Sequence, residues 1–587
     1  MKPMVFKPKI HIYDKETQMV MIHFDQYLLP STSYRLRMEF IGPIISTGSF
    51  YRTSNTKVWL IAASDSEGMG TGLILPYWNE CYTKAKFIIT IIHHGNYKVL
   101  TNTIFKTTYI ENMRSYFYSE INTFPHLIGI VFHNLDHISN ETDTFNENQT
   151  IDIWGRRNIK QRFEFVQYIA VKSKLYLQEN FAVKSKLYLQ ENSELPSEFP
   201  SNMNIIIIPN FREETIESWR LVFYNEAAVM YDETIDPIAY KMNVAHTVAR
   251  KMTYQFFGNM IGQTWGSYLW INEGVATFLG MKIIDKIIPD SRMLDLFVVQ
   301  FQHECLRLNH YYDMPFVEII ESLYFTSTFP FTRYVKASVF IHMLSKIVPT
   351  DVFMISLSEY VRLHQGTFFD TVDSLSNKFL NIFHEIYMRH IILEKRKTRS
   401  IDLEKRLNCW ITQKYFPVLE VTLKSSKTLF EIKLSQNMSR PNCNNLWIPV
   451  KYVTSHNKSQ TEWLSHNKPI LHVPNIEEKH WIIVNIQQSG YYRVKYDKKL
   501  WEKILYSLHS TSPDIHPLNR AQFIDDAYYF LLTKKLDFVF FKRLTSYLSK
   551  ETDYIPWYPL FKIMEDISGF LPFRKSNNVK VSMKIFF

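Results

Sequence analysis

Cysteine is scarce in this chain: four in 587 residues, at Cys81, Cys305, Cys409 and Cys443. They lie far apart and form no C-x-x-C pair, which argues against a thiolate zinc site. At most two disulfides can form, and the sequence leaves their pairing open. Long apolar runs are missing as well. No stretch of about 18 apolar residues occurs, so no segment reads as a membrane helix. Residues 1–30 place Lys2 and Lys7 around a short apolar patch, without the apolar core of a signal peptide. Charge of one sign is hardly in excess. The formal net charge of +10 is scattered, and its densest run, Lys395 to Arg399, reads as a solvated segment. No nucleic-acid partner is expected from such a distribution. Localisation stays open, because four N-x-S/T sequons at Asn140, Asn148, Asn437 and Asn457 hint at a secretory ancestry.

What the chain has in quantity is aromatic side chains, 15% of all residues, enough to bury a substantial core. Its length exceeds one compact core and predicts three or four domains. Up to residue 148 the pattern is strand-rich, with period-two alternation over Met19–Phe24 and an apolar run over Phe87–Ile92. The polar stretch His137 to Thr150 reads as a linker. From about 151 to 395 the pattern turns helical. Val244, Val248, Met252 and Phe256 fall four apart on one helix face. Asp236-Pro237 suits the start of that helix as a capping acid with proline behind it, and Gly258-Asn259 suits its end. Short strands return from 412 to 497, as in Leu419–Leu423 and Trp481–Asn485, and suggest a small β-sandwich. Helical patterns resume at Lys499–Leu508 and Arg520–Leu532.

One segment is repeated: Ala170 to Asn180 recurs as Ala182 to Asn192, a unit of 12 residues. At about 100° per residue, that shift turns a helix by about 120° beyond three turns. The two copies therefore cannot present the same side chains to one core, and one copy is expected to pack while the other extends.

The chemistry is concentrated between Asn243 and Gly280. Arg250-Lys-Met-Thr-Tyr-Gln-Phe-Phe-Gly-Asn259 is followed by Leu269-Trp-Ile-Asn-Glu-Gly-Val-Ala-Thr-Phe278. This pair of segments resembles the signature of the gluzincin zinc aminopeptidases of the aminopeptidase N type, H-E-x-x-H-Q-W-F-G-N and L-W-L-N-E-G-F-A-T-Y. In that family two histidines at i and i+4 and the glutamate of N-E-G hold zinc, and the glutamate after the first histidine is the general base. Gln255-Phe-Phe-Gly-Asn259 fixes the register. Arg250 then takes the first ligand slot, Lys251 the general-base slot and Tyr254 the second ligand slot. Glu273, 19 positions after Tyr254, is the one matching ligand. His246, one turn before Arg250, does not restore the set and reads as a core or capping histidine. Charge accounting predicts an ion pair between Arg250 and Glu273 in place of the metal.

Other landmarks of the resemblance follow in family order. Glu214-Thr-Ile-Glu-Ser-Trp-Arg-Leu221 resembles G-A-M-E-N-W-G-L, which gives Glu217 the role of binding a substrate's α-amine. Tyr334-Val-Lys-Ala-Ser-Val339 resembles Y-x-K-G-A-S, whose tyrosine is catalytic; without a gap Arg333 takes that slot. Pro76–Phe87, Gly490–Asp497 and Asn519–Asp526 match further structural landmarks. The resemblance implies a multidomain α+β protein. An N-terminal β-domain spans 1–148, a thermolysin-like α/β peptidase domain 149–395, a β-sandwich 412–497 and the start of a truncated C-terminal α-helical domain 498–587. With two ligands and the base replaced, the expected function is that of an aminopeptidase N-like pseudoenzyme that needs no cofactor, where the family uses zinc, and that binds peptides or protein N-termini. The alternatives are an active zinc metalloaminopeptidase and a product without selected function.

Overall fold

The computed structural model of the chain describes residues 7–14, 19–30, 32–41, 50–52, 59–61, 84–94, 97–102, 105–110, 113–118, 121–139, 150–183, 202–211, 214–261, 269–311, 335–364, 372–393, 402–424, 429–435, 446–454, 459–474, 481–510 and 515–570. These divide into two compact units, Met1–Pro43 and Ile44–Phe587. The division falls inside the stretch 1–148 expected as one β-domain.

In the first unit β1 (Pro8–Asp14) and β2 (Met19–Phe24) form an antiparallel hairpin, with Asp14 opposite Met19 and an irregularity between Pro8 and Ile10. The second unit opens with short antiparallel strands. Ile130–His133 lies between Trp59–Ile61 and Lys98–Thr101, and Met113–Tyr118 between Thr90–His94 and Phe105–Ile110. The apolar run expected at Phe87–Ile92 is split, since one strand ends at Phe87 and another starts at Thr90.

A five-stranded mixed sheet follows. Its members are β3 (Asp136–His137), β4 (Ile151–Gly155), β5 (Met203–Ile208), β6 (Thr215–Ser218) and β7 (Leu221–Asn225), in the order β3-β4-β5-β7-β6. β4, β5 and β7 are parallel, and β6 returns antiparallel along the edge, pairing Glu217 with Val222. The run Ile205-Ile-Ile-Ile208 is buried on both faces, as parallel strands require. Ile205, Ile207, Val222 and Tyr224 face the main helical core, whereas Ile206, Ile208, Leu221 and Phe223 join Val131 and Leu135 on the opposite side.

Helices cover the first of those faces. α1 (Glu164–Gln178) contains most of the first repeat copy and buries Ala170, Val171, Ser173, Lys174 and Leu177. Residues 184–192 of the second copy lie outside the described residues. α2 (Ile238–Tyr254) presents Val244, Val248 and Met252 to the core and runs on as a π-turn over Gln255–Met260. Its ends differ from expectation. Pro237 is the N-cap, and no side chain caps the helix; the Asp236 carboxylate instead accepts from the Asp232 amide at 2.8 Å. Gly258 does not end the helical path. It is needed because a Cβ there would enter the Tyr254 ring. α3 (Leu269–Ile287) is mostly apolar and buried, as a core helix should be, with Asn272 and Glu273 among its buried polar exceptions. α4 (His303–Tyr311) and α5 (Ala337–Ile347) follow, and the helices Thr350–His364, Val372–Leu393 and Leu403–Thr412 add to the same core.

Between Val418 and Tyr496 seven strands form one four-stranded and one three-stranded sheet. After them come Lys498–Leu508, α6 (Pro517–Leu532), Phe538–Thr545 and Tyr554–Phe570, all helical.

Candidate functional site

Two helices and one strand edge meet where the sequence placed its unusual residues. α3 approaches α2 closely at Gly280: a Cβ there would stand 3.0 Å from the Arg250 Cα. On its other side, a Cβ on Gly274 would stand 2.9 Å from the Ala337 backbone of α5. The small residues let the α3 backbone lie low, and Glu273 is carried into a place where 1% of its side chain is exposed. The Arg250 guanidinium meets it, with Nη2 donating to Oε2 at 2.6 Å. The pair expected from charge accounting is thus present. Burial pushes the Glu273 carboxyl up, against the pull of the Arg250 and Lys251 cations.

A second ion pair lies beside the first. Lys251 Nζ contacts Glu217 Oε2, with 9% and 5% of the side chains exposed. The Lys251 ammonium also sits 5.9 Å from the centre of the Tyr254 ring. Tyr254 is itself buried at 1% and backed by Gly258. Gln255 fastens the helix to the strand edge: its Nε2 donates to the Ser218 carbonyl at 3.1 Å, and its Oε1 accepts from the Arg220 amide at 2.9 Å. Arg220 adopts a left-handed backbone (φ 62°), so the turn between β6 and β7 is tight enough to keep Glu217 facing α2. The Tyr224 phenol is held well above its ordinary range by burial, with the Glu217 charge adding to the effect.

His246 stands apart from this cluster. Its Nε2 lies 3.3 Å from the Thr277 carbonyl, and its ring meets Phe301 edge-on. Burial, reinforced by Arg250, lowers it to about 4, so it is neutral at physiological pH. Tyr334 and Arg333 lie outside the described residues, as do Cys81, Cys443 and the four sequon asparagines; Lys336, two positions on, donates to Asn309 Oδ1 at 3.1 Å.

Sequence reasoning reached Arg250 with Glu273 but missed Lys251 with Glu217. The signal was there: two adjacent cations on one helix and two carboxylates assigned to the same cleft balance only as two pairs. It also missed what joins Gly490–Asp497 to Asn519–Asp526. Arg493 Nη1 donates to Asp525 Oδ2 at 2.8 Å and to Asp526 Oδ1 at 2.9 Å, all three side chains 1–2% exposed.

Comparison with known proteins accords with this architecture. The family model described as the peptidase family M1 domain matches residues 177–387, the peptidase M1 N-terminal domain residues 5–123, and the ERAP1-like C-terminal domain residues 481–585. The chain belongs to the M1 metallopeptidase family, of the aminopeptidase N type. Aminopeptidase N of Plutella xylostella is 27% identical over 82% of this chain and 50% of its own length. Aminopeptidase N of Homo sapiens is 25% identical over 94% of this chain and 57% of its own length, and glutamyl aminopeptidase of Bos taurus 25% over 93% and 55%. The chain spans about half the length of these curated relatives.

The family implies zinc, and whether that ion can be held depends on the donors these residues offer. A three-ligand zinc site needs nitrogen, sulfur or carboxylate lone pairs that converge on one point. Here Glu273 Oε2 is taken by a guanidinium, and the positions that the sequence resemblance gives to the two other ligands hold Arg250 and Tyr254. Among the described residues no three His, Cys, Asp or Glu side chains converge. Two carboxylates face two cations, so a divalent ion would add an unbalanced charge of two in a buried place. These residues do not fit the metal.

Proposed function

We propose that this chain is a zinc-free, non-hydrolytic member of the M1 family. The contact between Arg250 and the buried Glu273 carries this reading. A guanidinium cannot ligate a metal, and it neutralises the one carboxylate that matches the family's ligand set. Lys251 at the general-base position is a cation with no lone pair while protonated, so it cannot accept a proton from water. No step of hydrolysis can be routed through these groups.

Peptides are the proposed ligand class. β6 forms the outer edge of the mixed sheet among the described strands, and an extended peptide can add to such an edge through backbone hydrogen bonds. The proposed arrangement of the remaining chain keeps a β-sandwich over 412–497 and a helical region from 498, supported by the seven strands and by the C-terminal family match at 481–585.

Hydrolysis of amino-acid anilides tests the reading. The purified chain is expected to show no turnover above buffer, with or without added zinc. Chelator-sensitive turnover that scales with enzyme concentration would overturn it.

A further inference from the structure

Lys251 brings a primary ammonium into a place built to recognise one. On one side stands the carboxylate of Glu217, 5% exposed and fixed on the strand edge. On another stands the face of Tyr254, whose ring centre is 5.9 Å from Nζ. A carboxylate with an aromatic face is a recognised arrangement for binding ammonium, through charge and ring quadrupole together. Gln255 locks the strand edge that carries Glu217 to the helix that carries Lys251 and Tyr254. The neighbouring Arg250 side chain is 23% exposed, so the cluster opens toward water on that side.

We infer that Lys251 is a built-in occupant of an ammonium subsite formed by Glu217 and Tyr254, and that it closes this subsite to the amino termini of peptides. The inference deepens the reading above by stating how the cleft treats a peptide's free amine, but it can fail separately, because its test reads ammonium binding beside Glu217 and neither zinc content nor turnover. A tethered ammonium has an effective concentration that a free peptide cannot match. The intact protein should therefore bind a peptide with a free amino terminus and its acetylated form equally. Without Lys251, Glu217 is a buried carboxylate lacking this counter-charge, and a diffusible primary ammonium gains what the tethered one supplied.

The experiment is a thermal-unfolding titration of Lys251→Ala with methylammonium chloride, against tetramethylammonium chloride at equal ionic strength. Methylammonium should raise the Tm of the variant, tetramethylammonium should not, and the wild-type chain should respond to neither. The same variant should prefer a free-amine peptide over its acetylated form by about tenfold, or about 1.4 kcal/mol. Equal responses to both salts would overturn the inference, as would a methylammonium response of the same size in the wild type. If Lys251→Ala does not accumulate as folded protein, Lys251→Ala with Glu217→Gln decides. That double variant folds and ignores methylammonium if the ammonium serves Glu217; failure to fold would mean that Lys251 acts through packing, contrary to the inference. Zinc content and anilide hydrolysis are untouched by any of these outcomes.

Discussion

Glu273 keeps 1% of its side chain in contact with water, and its charge is balanced by Arg250 at 2.6 Å. Removing one partner of a buried pair is far worse than removing both. Arg250→Met should therefore destabilise the chain by about 3–5 kcal/mol, measured by urea unfolding, while Arg250→Met with Glu273→Leu recovers most of the loss. Equal losses in the two variants would mean that the pair is not what holds this place together. Lys336 supplies a pH dependence. Burial lowers its ammonium from 10.5 to about 7. Between those values the unfolded chain binds a proton that the folded chain refuses, so this residue's contribution to stability falls as pH drops from 10.5 to about 7 and stays level below. Compared with Lys336→Met, the wild type should lose about 1 kcal/mol of unfolding free energy per pH unit across that window. Parallel profiles for the two proteins would contradict the burial of a titrating ammonium.

The elements depend on where side chains are missing as much as on where they pack. α3 passes Ala337 of α5 at Gly274, where there is no room for a Cβ, and Arg250 of α2 at Gly280, where a Cβ would be tight. Gly274→Val should force α3 and α5 apart and cost about 1–3 kcal/mol in a urea titration, with the neighbouring Glu273 drawn out of line. A variant as stable as the parent would show that the helices can separate freely. These close approaches also explain how far the sequence could be read. The four-residue spacing of Val244, Val248 and Met252 follows from helix geometry alone, and all three are fully buried. The ends of α2 were not legible in the same way. Asp236 looks like a cap but holds Asp232 in the preceding turn, and Gly258 looks like a stop but makes room for a ring. In both cases a contact four residues back along the chain, rather than the end of the helix, decides the residue's use.

In the larger unit, buried polar contacts join segments distant in sequence. Gln302 Nε2 donates to the carbonyls of Gln488 and Gly490 at 2.9 and 3.0 Å, and its Oε1 lies 3.1 Å from His342 Nδ1 of α5. Arg493 ties its strand to Asp525 and Asp526 of α6. Arg493→Met leaves two buried aspartates facing each other and should abolish cooperative folding in a calorimetric scan, whereas Arg493→Lys should retain it with a lowered Tm. An unaltered transition in Arg493→Met would show that the strand and helix are held by apolar packing alone. At this scale the order of motifs along the chain was enough to read the family, which the three domain matches show. The partners of Arg493 and Lys251 were not, because a charge in sequence does not name the carboxylate that the fold brings to it.

The central claim is that a guanidinium and a buried carboxylate stand where the family's metal would be held. Zinc counted by mass spectrometry in the purified chain, after exposure to excess zinc and removal of unbound ion, tests it most directly. The account predicts a content no higher than that of Glu273→Gln treated alongside; one zinc per chain, lost in Glu273→Gln, would contradict it.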